Sequence, residues 1–295
     1  MAFPEAMLAL QAYIRPAEAL AALGANLGVA SGKIAPSERL RAKLDGVLTQ
    51  YEPNLLDGLS KDELEALHGF VRASLLQMLH LIELPADSSE GWNYTDEGLL
   101  QAQGRASRLV TRLITDYADT EQALGQMLED DGDFLDVGSG VGWISLSMAM
   151  QWPKLRSTGI DILGPALELA QQNLTQTGLS GRVSFRNQNV IELSEDGAFN
   201  IAFIPLIFIP ETILAEALAA VRRSLKSDGW LFAAAYRIPD DPRQAALNDL
   251  KTALSGGRVW QVPELMQVLE SAGFTQMKDV GEGSPLHLIA ARCAS

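Results

Sequence analysis

The chain has 295 residues, 47% of them hydrophobic, which is enough for one large domain or two modest ones with a real core. Acidic residues outnumber basic ones, 37 to 23, and the formal charge of −14 argues against a phosphate-tracking surface and so against nucleic acid as a partner. The single cysteine, Cys293, leaves no intrachain disulfide to form and fits a reducing, cytoplasmic setting.

The N-terminal stretch has no basic region ahead of its apolar residues and is interrupted by Glu5, Arg15, Pro16 and Glu18, so no signal peptide is expected. No apolar run approaches the ~20 residues of a membrane span, and no membrane association is expected. Up to residue 128 apolar residues recur at helical spacing, as in Leu40, Leu44, Val47 and Leu48, then Leu64, Leu67, Phe70, Val71, Leu75 and Leu79. Ser37 is placed as an N-cap, and Ser60 with Glu63 three residues later forms a capping box. The stretch LPADSSEGWNYTDEG reads as irregular. After it, Thr95 or Asp96 caps a helix expected to run through LLQAQGRASRLVTRLITDYA. Arg105, Arg108 and Arg112 recur along that helix and read as a solvated face.

From Phe134 the pattern changes to short apolar runs alternating with amphipathic ones, the signature of βα repeats around a buried parallel sheet. Expected strands are DFLDVG, RSTGIDI, RVSFRNQ, FNIAFIP, GWLFAAAY, TQMKDVGE and HLIAARC. Expected helices are WISLSMAMQW, GPALELAQQNLTQTG, ETILAEALAAVRRSLK and VPELMQVLESAG, the last closed by Gly273. This places a mainly α-helical domain at 1–128 and an α/β domain at 129–295.

In FLDVGSGVGWISLSMAM an apolar strand runs through Gly138, Gly140 and Gly142 directly into a helix. Glycines let backbone approach a ligand closely, and the helix start offers free N–H groups and a positive dipole end. The G-x-G-x-G spacing is one residue short of the dinucleotide fingerprint. Asp136 precedes the loop, either to face a ligand or to hydrogen-bond nearby backbone N–H groups. The next strand ends at Asp161, whose carboxylate can accept from both hydroxyls of a ribose, with Ile162 beside it to pack on a purine face. The third ends near Asn189, whose amide can read an adenine edge. Together these describe an adenosine site outside the carboxyl ends of an open sheet.

With those motifs, residues 130 to 293 resemble the class I S-adenosylmethionine-dependent methyltransferases. The resemblance implies a Rossmann-like, seven-stranded, mostly parallel sheet ending in an antiparallel hairpin, with S-adenosylmethionine as cofactor. It implies cofactor contacts from Asp136, Gly138, Ser139, Gly140, Gly142, Trp143, Asp161, Ile162, Asn189, Val190 and Pro205. Asn189 stands where the family usually has Asp, so the adenine amino group would meet a neutral acceptor.

The transfer point is expected outside the fourth strand. There Pro205, Leu206, Ile207 and Phe208 replace the polar Asn/Asp-Pro-Pro-aromatic motif of many amino-group and nucleic-acid methyltransferases. An apolar wall favours an apolar or aromatic small-molecule acceptor. Conventional bases are few: His287 is expected to be structural, and His68 and His80 lie in the helical half. Tyr236 and Arg237, after the fifth strand, are the candidate catalytic residues, Tyr236 for an acceptor hydroxyl and Arg237 for a carboxylate. No acidic cluster has metal-ligand spacing, so no metal is expected. The helical half is expected to supply a lid, a dimer surface, or both. Trp92, Asn93 and Tyr94 form either part of such a lid or a linker packed on the second half. A non-catalytic cofactor-binding scaffold, an aminopropyl transferase and an NAD-dependent oxidoreductase are the alternatives, the last disfavoured by the loop spacing.

Overall fold

The computed structural model describes residues 3–84 and 91–293, which form two compact units, 3–84 with 98–107, and 91–97 with 108–293. Part of the irregular stretch expected at 84–98, residues 85–90, lies outside the described residues.

The first unit is helical: α1 (Phe3–Ala30), α2 (Glu38–Tyr51), α3 (Lys61–Ile82) and α4 (Glu97–Ala106), the last beginning one residue before the unit's second segment. The expected caps are in place. Ser37 Oγ accepts from the Leu40 N–H at 3.4 Å. Ser60 and Glu63 close their box, with Glu63 accepting the Ser60 N–H at 2.8 Å. Leu27, Leu64 and Val71 form a small core with Leu20, Leu67 and Leu75 around it. Buried Asn26 ties α1 to α2 by donating from Nδ2 to the Leu44 carbonyl at 2.9 Å.

The second unit is built on a seven-stranded sheet: β1 (Asp133–Val137), β2 (Arg156–Asp161), β3 (Val183–Asn187), β4 (Phe199–Pro205), β5 (Leu225–Tyr236), β6 (Phe274–Asp279) and β7 (Leu286–Cys293). Their order is β3-β2-β1-β4-β5-β7-β6. Pairing is parallel from β3 to β5 and antiparallel for β5–β7 and β6–β7, as expected for the seven-stranded, mostly parallel sheet with a final hairpin. Because side chains alternate across a strand, Phe134, Ile201 and Phe232 enter one core while their neighbours Leu135, Ala202 and Leu231 enter the other. Helices α5 (Arg108–Ala118), α6 (Gln122–Glu129) and α7 (Trp143–Gln151) cover the first face. Helices α9 (Glu211–Ser224) and α11 (Val262–Ser271) cover the second. Helix α8 (Gly164–Thr177) follows β2 and packs Leu174 beside Val183 of β3.

Three features differ from the sequence reading. The helix expected across 99–118 breaks between Ala106 and Arg108, where the Ser107 hydroxyl turns back to the Gly104 carbonyl at 2.7 Å. Arg105 therefore lies on a different helix from Arg108 and Arg112. The break also changes the grouping: α5 and α6, assigned to the N-terminal part by a boundary at 128/129, bury Ile114, Leu124 and Leu128 completely in the core of Phe134 and Phe232. Finally, α10 (Pro242–Ser255) was not expected, although Asp241 caps it by accepting the Arg243 N–H at 2.9 Å and Pro242 opens it.

If α5 is part of the α/β core, Ile114→Ala leaves a cavity there and costs about 2–4 kcal/mol in chemical denaturation followed by tryptophan fluorescence. A loss below about 1 kcal/mol would detach α5 from that core.

Candidate cofactor site

At the carboxyl end of β1 the chain turns through Gly138–Gly142 into α7. Gly142, the N-cap of α7, has φ +83°, and a Cβ there would stand 2.3 Å from Cζ of Phe185. Only glycine fits, because both the left-handed backbone and the aromatic ring refuse a side chain. A glycine N-cap has no side chain to bond the first turn, and Asp136 does so from the strand. Its Oδ2 accepts from the Ser145 N–H at 3.1 Å and from the Ser145 hydroxyl at 2.7 Å. Asp136 is fully buried, and burial pushes its carboxyl up to about 7 against the pull of the Ser145 hydrogen bonds.

The loop is fastened to β2 at two points. The Ser139 N–H donates to the Ile160 carbonyl at 3.0 Å, and the Gly140 N–H donates to Asp161 Oδ2 at 2.7 Å. Asp161 Oδ1 accepts the Leu163 N–H at 2.8 Å, and burial raises the Asp161 carboxyl as well. Beside it Ile162 is 69% exposed, a large apolar side chain at the mouth of the sheet. The Gln188 N–H donates to the Asp161 carbonyl at 2.9 Å, bringing the end of β3 next to that of β2. Asn189 Oδ1 accepts the Ile191 N–H at 3.3 Å, capping a short 3-10 turn, while the Val190 side chain points into the core. Pro205 ends β4 close enough to Gly138 that a Cβ on the glycine would stand 3.2 Å from its Cγ. Trp143, partly exposed, has the Arg108 guanidinium 5.6 Å from its ring centroid.

Thus the expected strand-end residues of β1, β2, β3 and β4 converge on one edge. Two residues went unread in the sequence: Ser145, legible as the third residue of a helix whose N-cap is glycine, and Asn173, whose Nδ2 holds the Val141 carbonyl at 2.9 Å from α8. Nothing local announces the second. Beyond β4, Leu206 and Ile207 are buried. Phe208 meets Trp92 edge-on at 5.0 Å, and Trp92 meets Tyr94 at 4.6 Å. Trp92 and Tyr94 therefore pack against the exit of β4.

The two candidates after β5 separate. Tyr236 ends the strand partly buried, with the Lys251 ammonium 5.6 Å from its ring centroid, and burial pushes its phenol up to about 12. It is a hydrogen-bond donor at neutral pH, not a base. Arg237 corrects the sequence reading. Its guanidinium donates to the carbonyls of Gly281, Ser284 and Leu286 and to Asp279 Oδ2, all within 3.2 Å. These bonds clamp the β6–β7 turn and use the fork that a substrate carboxylate would need. Buried His287 completes the clamp, its Nδ1 lying 2.7 Å from Asp279 Oδ2.

The residues at this edge fit S-adenosylmethionine. Asp136 Oδ1 and Ser139 Oγ are buried beside the loop without a hydrogen-bond partner, and above Gly140, at φ +53°, a Cβ would meet nothing within 4 Å. That leaves polar atoms and open backbone for a charged amino-acid moiety, and Asp161 with Ile162 for a nucleoside.

Asp136 also imposes a pH dependence on the free protein. With its folded-state value raised from 3.8 to about 7, its contribution is complete below 3.8 and is lost as pH rises through 7. Relative to Asp136→Asn, the wild type should lose stability between pH 4 and 7 with a slope approaching about 1.4 kcal/mol per pH unit. Parallel stability curves for the two proteins would refute the buried, protonated state.

Residues 134–229 match a family described as "Methyltransferase domain". Release factor glutamine methyltransferase of Chlorobaculum tepidum is 28% identical over 170 residues, 56% of each chain. Demethylmenaquinone methyltransferase of Lactiplantibacillus plantarum is 33% identical over 128 residues, 41% of this chain and 53% of that protein. The chain spans about half the length of these curated relatives. The solved structure of an O-methyltransferase family protein from Burkholderia thailandensis aligns with a TM-score of 0.64 at 16% identity, covering 100% of this chain and 99% of that one, a likeness of fold. Residues 134–229 therefore carry a methyltransferase domain, with S-adenosylmethionine as its cofactor.

Proposed function

We propose that the chain transfers a methyl group from S-adenosylmethionine to a small apolar or aromatic molecule, at an oxygen, nitrogen or carbon atom. When bound, S-adenosylmethionine supplies an electrophilic methyl group on a sulfonium. The observation that carries this reading is the convergence of the glycine loop, Asp161 and Asn189 on one sheet edge, next to an apolar exit from β4. In this assignment Asp161 accepts the ribose hydroxyls and Ile162 packs on the purine. Asn189 reads the adenine edge, with Val190 contributing only backbone because its side chain is in the core. The loop from Gly138 through Gly142 and Trp143 lies along the methionine part, and Pro205 borders the transfer point.

An in-line displacement asks the protein to hold the acceptor on axis and to keep water away. Phe208, Trp92 and Tyr94 offer the aromatic surface for this, and Tyr236 donates a hydrogen bond to an acceptor hydroxyl. The name of one relative points to a glutamine side chain as acceptor. The Pro205-Leu206-Ile207-Phe208 sequence argues against that here, since an amide acceptor needs polar partners outside β4.

Asp161→Ala should weaken binding of S-adenosylmethionine and S-adenosylhomocysteine by about 10- to 100-fold in calorimetry, the loss of hydrogen bonds from a charged acceptor. An unchanged affinity, or a preference for NAD, would sink the cofactor assignment. Methyl release across phenols, amines, quinols and keto acids tests the acceptor class. Turnover confined to a protein glutamine would overturn it.

The helical unit is proposed to pair two copies of the chain. Along α1, Phe3, Leu8 and Tyr13 are 68–78% exposed, and α2 has no buried residue. Sedimentation at micromolar concentration should give a dimer, and Leu8→Asp with Tyr13→Asp should give a monomer. A monomeric wild type would refute the pairing.

A further inference from the structure

The helical unit contains a cavity of about 540 Å³ between α1, α3 and α4, a volume suited to a small organic ligand. Its apolar wall is made by Ala21, Ala25, Ile34, Val71, Leu75 and Ala102. Its polar side is unusual for a chain of net charge −14: Lys33, Arg72 and Arg105 line it with a single carboxylate, Glu65, and with His68. Glu65 is largely buried and is shared, with Lys33 Nζ and Arg105 Nη1 each 3.4 Å from one of its oxygens. Glu65 thus serves Lys33 and Arg105, and among the described residues no acid pairs with Arg72.

Two independent features say that these cations are felt inside the cavity and that its walls are fixed. His68 is held below its ordinary value by burial and then by the charges of Arg72, Arg105 and Lys33, against a smaller opposing pull from Glu65. The helices meet at glycines. A Cβ on Gly69 would stand 2.7 Å from the Arg105 Cβ, and one on Gly24 would stand 2.6 Å from the Val71 Cγ1. Close contact at these glycines, with the α4 backbone at Gly69 and with the branched Val71 side chain at Gly24, sets the spacing of the walls.

We propose that this cavity binds an amphipathic organic anion, an aromatic carboxylate whose charged end is held by Lys33, Arg72 and Arg105 and whose body lies on the apolar wall. The carboxylate gives Arg72 a counter-charge, and the planar guanidinium fork suits it. The site is separate from the cofactor edge and does not depend on the methyltransferase reading.

Calorimetry on the full chain with 1-naphthoate and its neutral analogue 1-naphthamide tests this. The expected result is saturable naphthoate binding, at least about ten-fold weaker binding of naphthamide, and weakening as salt is raised. Arg72→Gln, at an exposed side chain, should lower naphthoate affinity about 5- to 20-fold, and Glu65→Gln should raise it. Asp161→Ala should leave it unchanged, which separates this cavity from the cofactor edge. Equal binding of the two probes, an unaltered affinity in Arg72→Gln, or a loss in Asp161→Ala alone would overturn the proposal. Circular dichroism establishes that each variant is folded, and Arg72→Gln decides the matter even if Glu65→Gln is not.

Discussion

The edge of the sheet depends on the turn that joins β1 to α7. With φ +83° at Gly142 and the Phe185 ring filling the place of a side chain, the backbone can leave the strand and enter the helix in one way only. That turn denies α7 a capping side chain, and the vacancy is filled by Asp136 from inside the sheet. It also aims the Gly140 N–H at Asp161, so the loop and the end of β2 are fixed to each other before any ligand arrives. Preorganisation of this kind lowers the ordering cost of binding.

The acids at this edge illustrate how the fold uses charge. Asp136 and Asp161 are both raised by burial; the Ser145 hydroxyl and N–H offset this at Asp136 and backbone N–H groups at Asp161, with no basic side chain among the causes. Three basic side chains of the α/β unit have structural partners: Arg237 on the β6–β7 turn, Arg156 on Asp133 at the opposite end of β1, and Arg222 on the Gly273 carbonyl behind α9. Arg237 shows the consequence for reading function from position. It follows β5 as a catalytic residue might, yet a tight turn with several inward carbonyls engages its Nε and Nη2.

Much of the architecture was legible because its causes are local. Ser37, Ser60 with Glu63, and the αL Gly273 after α11 mark helix ends through bonds spanning a few residues. The central strands β1 and β4 announced themselves as apolar runs because a parallel strand covered on both faces is buried at nearly every position. Where local causes competed, the reading failed. Asp241-Pro242 opens α10 as plainly as Ser37 opens α2, but its helix carries few buried residues and gave little periodicity. Ser107 ends α4 with a hydroxyl that is otherwise compatible with a continuous helix.

By itself the sequence determined the order of strands and helices, the glycine turn, and the acids and amide at the strand ends. Those follow from propensity, capping and the two-residue and 3.6-residue periods, all properties of neighbouring residues. Only the tertiary structure decided what the side chains do. It turned Asp136 inward to cap α7, spent Arg237 on a hairpin, put Val190 in the core and left Ile162 exposed. It also gave α5 and α6 to the α/β unit and gathered Lys33, Arg72 and Arg105 around one buried carboxylate. The physical reason is that burial and the partners of a polar group are set by residues distant in the chain, and no local pattern encodes which of them will arrive.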